Sequence, residues 1–164
     1  MIDIKKINSL DKSEFLSIFG NVFEKSKWIS EKTFDLKPYK DLETFISEII
    51  KIYENSDNKT ILEILNLHPE LAVEKKLTLN SDSEQSKANL KDCTPEEFDE
   101  FKKLNIEYKK KFNFPFIIAV KGKNKTEILN YFRERIKNSL DEEFIEAKKQ
   151  VKKIAIFRLE EILK

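Results

Sequence analysis

Thr94-Pro95-Glu96-Glu97-Phe98-Asp99-Glu100-Phe101-Lys102-Lys103-Leu104-Asn105-Ile106-Glu107-Tyr108-Lys109-Lys110-Lys111-Phe112 is the stretch that decides the fold class. Thr94 is an N-cap, Pro95 takes the first helical position where its missing N–H costs nothing, and Glu97 closes a capping box. Phe98, Phe101, Leu104, Tyr108 and Phe112 then line one helical face, and Pro115 ends the run. The same grammar recurs outward along the chain. Asp11 and Glu14 form a capping pattern before Phe15, Ile18, Phe19, Val22 and Phe23, which repeat at helical spacing. Glu24-Lys25-Ser26-Lys27-Trp28 leaves that register and leads through Lys37-Pro38 into an irregular connection, with Trp28 as the expected buried anchor. Leu42, Phe45, Ile46, Ile49, Ile50 and Tyr53 repeat the period, and Ile61, Leu62 and Leu65 restart it until Pro69 stops it near His68. Residues 73–83 read as an exposed loop feeding a helix that starts near Ser81. Downstream, Phe116-Ile117-Ile118-Ala119-Val120 is too short for a helix and reads as extended or irregular. Ile128, Leu129, Phe132 and Ile136 mark another helix. Ser139 with Glu142 opens a last one, whose stripe is Phe144, Ala147, Val151, Ile154, Ala155 and Ile162.

The chain of 164 residues is the length of one domain, 40% apolar with 13 Phe and only 2 Gly, which excludes a disordered or turn-rich chain. The expected architecture is a single-domain all-α helical bundle over residues 1–164. The 31 basic and 30 acidic residues leave a formal charge of +1, so no nucleic-acid partner is expected, and the acidic run near Lys109-Lys110-Lys111 makes that cluster a solvated face. Cys93 and His68 are the only residues of their kinds. That excludes a disulfide framework and any zinc site built from several Cys and His. The N-terminus lacks an apolar leader core and no segment approaches a membrane span, so a cytoplasmic protein without a membrane partner is expected.

Polar residues at apolar positions single out the candidates for chemistry. Arg158 lies on the stripe of the last helix, and a guanidinium there must reach the rim or meet an anion, from the protein or from a ligand. His68, held at a helix end by Pro69, is either a cap of the last carbonyls or a general acid or base. Ser81 and Glu84 fit a capping box, or a polar cradle for a small molecule at a helix start. Cys93 would need His68 to form a nucleophilic pair.

Six motifs then occur in order: Phe23-Glu24-Lys25-Ser26-Lys27-Trp28, Leu67-His68-Pro69-Glu70-Leu71-Ala72, Ser81-x-x-Glu84-Gln85, Leu104-Asn105-x-x-Tyr108, Lys111-Phe112-Asn113-Phe114-Pro115-Phe116-Ile117-Ile118, and Lys153-Ile154-Ala155-x-x-Arg158-Leu159. Together they resemble the OHCU decarboxylase family, carboxy-lyases that convert 2-oxo-4-hydroxy-4-carboxy-5-ureidoimidazoline to S-allantoin in urate catabolism. The resemblance runs from about residue 10 to residue 160. It implies an all-α homodimer without metal or organic cofactor, acting on a small molecule. His68 would donate the proton and Glu84 share the catalytic site. Pro69, Ser81, Gln85, Phe116, Ile117, Ile118, Ala119, Val120 and Arg158 would line the substrate pocket. The chain departs from the family pattern at Glu70, Lys27, Ala88-Asn89-Leu90 and Asn113. At Asn89 and Asn113 the family's Gly is replaced by the residue that best tolerates left-handed backbone.

Two other classes fit the same fold. A binding or scaffold protein would tolerate loss of His68 and Glu84. A related cofactor-free enzyme would need His68 but act on another ureido-carboxylate compound.

Overall fold

The computed structural model describes residues 2–72, 78–88 and 90–164, and every regular element among them is a helix. These are α1 (Ile4–Ser9), α2 (Lys12–Phe19), α3 (Lys27–Asp35), α4 (Leu42–Glu54), α5 (Asn58–Leu67), α6 (Leu79–Lys87), α7 (Pro95–Phe112), α8 (Lys125–Arg135) and α9 (Leu140–Leu163). None of the described helices is long and apolar enough to cross a membrane. The chain forms two compact units, one containing the residues up to Leu67 together with Val151–Lys164, the other His68–Gln150.

In the first unit α2 begins in the expected capping box. The Asp11 carboxylate accepts from Glu14 N, and the Glu14 carboxylate accepts from Asp11 N. The helix ends at Phe19, earlier than the period suggested, and Val22 and Phe23 are buried from irregular backbone. Phe15, Phe19, Tyr39 and Phe45 pack edge-on or tilted, with Phe19 and Phe45 5.0 Å apart, while Phe23 stacks on Tyr53 at 4.8 Å. Each such burial is worth about 1.5–3 kcal/mol. Two expectations are corrected here. The Glu24–Pro38 connection contains α3, and its buried anchor is Ile29; Trp28 is partly exposed beneath the Lys32 ammonium. Lys27 takes the first helical position there, so Trp28 sits one step around the helix from the buried face.

In the second unit α7 starts at Thr94 and Pro95 with its capping box formed, as expected. It ends on Asn113, whose φ of 63° is the left-handed conformation anticipated for that Asn. Asn89 lies outside the described residues, as do 73–77 of the expected loop. The helix expected near Ser81 starts two residues earlier, because Thr78 is the N-cap and its hydroxyl accepts from Ser81 N. Ser81 is thus a buried residue of the first turn and not its cap. Phe116–Val120 is without regular structure and wholly buried, with Phe116 stacked flat on Phe132 at 3.9 Å.

Candidate active site

His68 follows the last residue of α5 and is 8% exposed. Pro69 stops the helix there. The turn that follows is held from outside through its backbone. Gln85 on α6 uses both ends of its amide: Nε2 donates to Glu70 O at 3.1 Å, and Oε1 accepts from Ala72 N at 3.1 Å. Asn105 on α7 donates from Nδ2 to Leu71 O at 3.0 Å. The Glu70 carboxylate also pairs with Lys109 at 3.6 Å. Ala72 closes the turn in left-handed backbone, φ 51°. Side chains from two helices thereby fix three successive residues after His68-Pro69.

Ser81 and Gln85 are buried on α6 and Glu84 beside them is half-buried, the i, i+3, i+4 spacing placing them on one face. The described contacts bring Gln85 to the His68-Pro69 turn. The amide that the resemblance assigns to substrate is seen here organising the turn.

The Phe116–Val120 wall is anchored separately. Arg135 Nη1 donates to Ile117 O at 2.7 Å, Gln150 Oε1 accepts from Ala119 N at 3.0 Å, and the Arg135 guanidinium lies 4.5 Å from the Phe116 ring. Arg135 is itself held by Glu143, which is fully buried. Glu143 Oε1 accepts from Arg135 Nε at 2.9 Å and Nη2 at 2.5 Å and from the Tyr108 hydroxyl, while Oε2 accepts from Asn138 Nδ2 at 2.7 Å. Burial and this carboxylate push the Tyr108 hydroxyl well above its ordinary pKa, so it stays a donor. Helix α7 thus carries both buttresses on one buried face, Asn105 for the turn and Tyr108 for the wall.

Arg135, Glu143 and Gln150 were not singled out from the sequence. The signal was present: Glu143, Ala147, Gln150, Val151, Ile154, Ala155 and Arg158 form a better buried stripe than one based on Phe144 and Ile162, which are only partly buried.

Arg158 belongs to the first unit. It is 4% exposed, as its place on the stripe required, and meets an anion of the protein: Nη2 pairs with Glu24 Oε2 at 3.1 Å, and Nη1 donates to Asn21 O at 3.1 Å. Cys93, in the second unit, donates to Leu90 O, and burial raises its thiol pKa, the opposite of an activated nucleophile. Among the described residues no group of His, Cys, Asp and Glu is arranged to hold a metal ion.

The family model for OHCU decarboxylase matches residues 8–160. The chain belongs to the OHCU decarboxylase family. It is 37% identical, over its whole length, to a uric acid degradation bifunctional protein of a Bacillus species, of which it spans 33%. It is 32% identical over 98% of its length to the 2-oxo-4-hydroxy-4-carboxy-5-ureidoimidazoline decarboxylase of Halalkalicoccus jeotgali, of which it covers 92%. The crystal structure of an (S)-allantoin synthase superposes with a TM-score of 0.77 at 25% identity, over 99% of this chain and 54% of that one. The chain therefore corresponds to one part of the bifunctional relative and to nearly all of the decarboxylase.

Proposed function

We propose that this chain is a cofactor-independent carboxy-lyase that converts 2-oxo-4-hydroxy-4-carboxy-5-ureidoimidazoline to (S)-allantoin, with His68 as the proton donor. The observation that carries the reading is a buried histidine on a turn whose backbone is fixed by Gln85 and Asn105, in a chain of this family. The family match spans residues of both units, which supports treating 1–164 as one functional domain.

Loss of CO2 moves an electron pair from C4 into the C4–C5 bond and the adjacent ring system; the ureido-bearing C5 is then protonated on one face while the C4 hydroxyl gives up its proton to become the carbonyl. The substrate is its own electron sink. The protein's task is to orient the carboxylate out of the ring plane, to stabilise developing enolate-like charge, and to deliver one proton stereospecifically. His68 would hydrogen-bond the C4 hydroxyl and supply that proton. Glu84, with Ser81 and Gln85, would receive the ureido and ring N–H groups. The apolar, rigidly anchored Phe116–Val120 segment would keep water from the leaving carboxylate. For Arg158 the Glu24 ion pair supports a role in its own unit's stability, and the resemblance implies that it would also bind a carbonyl or carboxylate oxygen of the substrate.

A homodimer in the cytoplasm belongs to the same proposal, and sedimentation equilibrium decides the first point. The activity is tested by generating the unstable substrate in situ from urate with urate oxidase and hydroxyisourate hydrolase. Accelerated appearance of the S enantiomer by circular dichroism supports the reading. Formation at the spontaneous rate favours the scaffold class. Acceleration with a different ureido-carboxylate alone favours the related enzyme.

A further inference from the structure

Asn105 is 4% exposed, and its side-chain Oδ1 is buried without a hydrogen-bond partner among the described residues. Stripping water from an amide oxygen and giving it nothing in return costs about 1–3 kcal/mol. A leucine at the same place on α7 would avoid that cost. What the amide supplies is the Nδ2 bond to Leu71 O, the middle of the turn that follows His68-Pro69. That turn ends on Ala72 at φ 51°. A side chain with a Cβ pays about 1–2 kcal/mol for this conformation, so the turn needs an external hold to keep its shape. Gln85 grips the flanking groups, Glu70 O and Ala72 N, leaving the carbonyl between them to Asn105.

We propose that Asn105 is a positioning residue for His68, fixing the turn so that the imidazole is already aimed when substrate arrives. This rests on the decarboxylase reading above. It makes Asn105 act through the backbone and not by contact with substrate, so its loss weakens the chemical step and leaves binding almost untouched.

The test is Asn105→Leu, which keeps the branched shape and the number of heavy atoms and removes the donor. Misplacing a reacting group by about 1 Å can cost about a hundredfold. The expected outcome is a kcat at least about tenfold lower with KM within about threefold of the parent. His68 is the only histidine in the chain, so its imidazole resonances are unambiguous by NMR. They are expected to shift and broaden in the variant while thermal unfolding stays cooperative. If the leucine does not pack, Asn105→Ala, which only deletes atoms, is scored the same way. A folded variant with unchanged His68 resonances and a kcat within about threefold of the parent overturns the proposal. So does a variant in which KM alone rises. If the parent chain shows no activity, the decarboxylase reading fails, and the His68 resonances still decide whether Asn105 positions the imidazole.

Discussion

Replacing Glu143 by Gln is the sharpest perturbation of the second unit. The change preserves volume and leaves the Arg135 guanidinium, only 8% exposed, without its counter-charge. Removing one partner of a buried ion pair costs about 3–5 kcal/mol, because the remaining charge is desolvated and uncompensated. The Tyr108 hydroxyl and Asn138 Nδ2 still find an amide oxygen or lose part of a bond. For a chain of this length about 1 kcal/mol corresponds to about 2–4 °C, so Glu143→Gln should lower the melting temperature by about 6–20 °C. Far-UV circular dichroism during thermal and urea unfolding reads the loss. The double variant Arg135→Met with Glu143→Gln removes the orphaned charge and should recover more than about 1 kcal/mol relative to the sum of the single losses. A single-variant loss under about 1 kcal/mol, or strict additivity in the cycle, refutes the claim that a coupled buried charge pair anchors the Phe116–Val120 wall.

In the first unit, Arg158→Met takes from Glu24, 1% exposed, its guanidinium partner and should cost about 3–5 kcal/mol in urea unfolding, with Glu24→Gln in the same chain recovering part of it. Asn113→Gly should change stability by less than about 0.5 kcal/mol, since φ of 63° suits both residues, whereas Asn113→Ala should cost about 1 kcal/mol in the same assay. The Lys125 ammonium on Glu97 and the Arg133 guanidinium on Glu100 hold both carboxyls below the ordinary glutamate value of 4.5. Their folded-state pKa values are the lower ones, so this stabilisation is complete above that value and fades as pH falls through the depressed range. The melting-temperature gap between the parent and a Glu97→Gln, Glu100→Gln variant should therefore be open at pH 7 and narrow as pH falls below the ordinary glutamate value.

Helix starts were legible because they are local. Asp11 with Glu14, Thr94 with Glu97 and Ser139 with Glu142 each satisfy backbone groups three residues away, and all three pairs form. Thr78 was overlooked because Ser81 offered an equally good capping pattern. The choice between them turns on Ser81 being buried, which is tertiary. The short helices α1 and α3 carry too few apolar repeats to show a period. At the candidate site, His68, Ser81, Glu84 and Gln85 came from the motifs, and Arg158 was visible as a charge on an apolar stripe. The hold of Gln85 and Asn105 on the turn was not, since each bond joins residues 13 to 34 positions apart through backbone atoms that carry no sequence mark. The Arg135–Glu143 pair was hidden because the expected stripe, correct at Ala147, Val151, Ile154 and Ala155, began at Phe144 instead of Glu143. Glutamate inside a stripe reads as surface until its partner is known.

The most direct measurement is the rate of (S)-allantoin formation by circular dichroism with the parent chain and with His68→Asn, substrate being generated in situ. The account predicts stereospecific acceleration by the parent and a loss of at least about a hundredfold in a folded His68→Asn chain, the range for a positioned general acid. A parent chain that forms S-allantoin rapidly while His68→Asn loses less than about tenfold would contradict the assignment of the proton to His68.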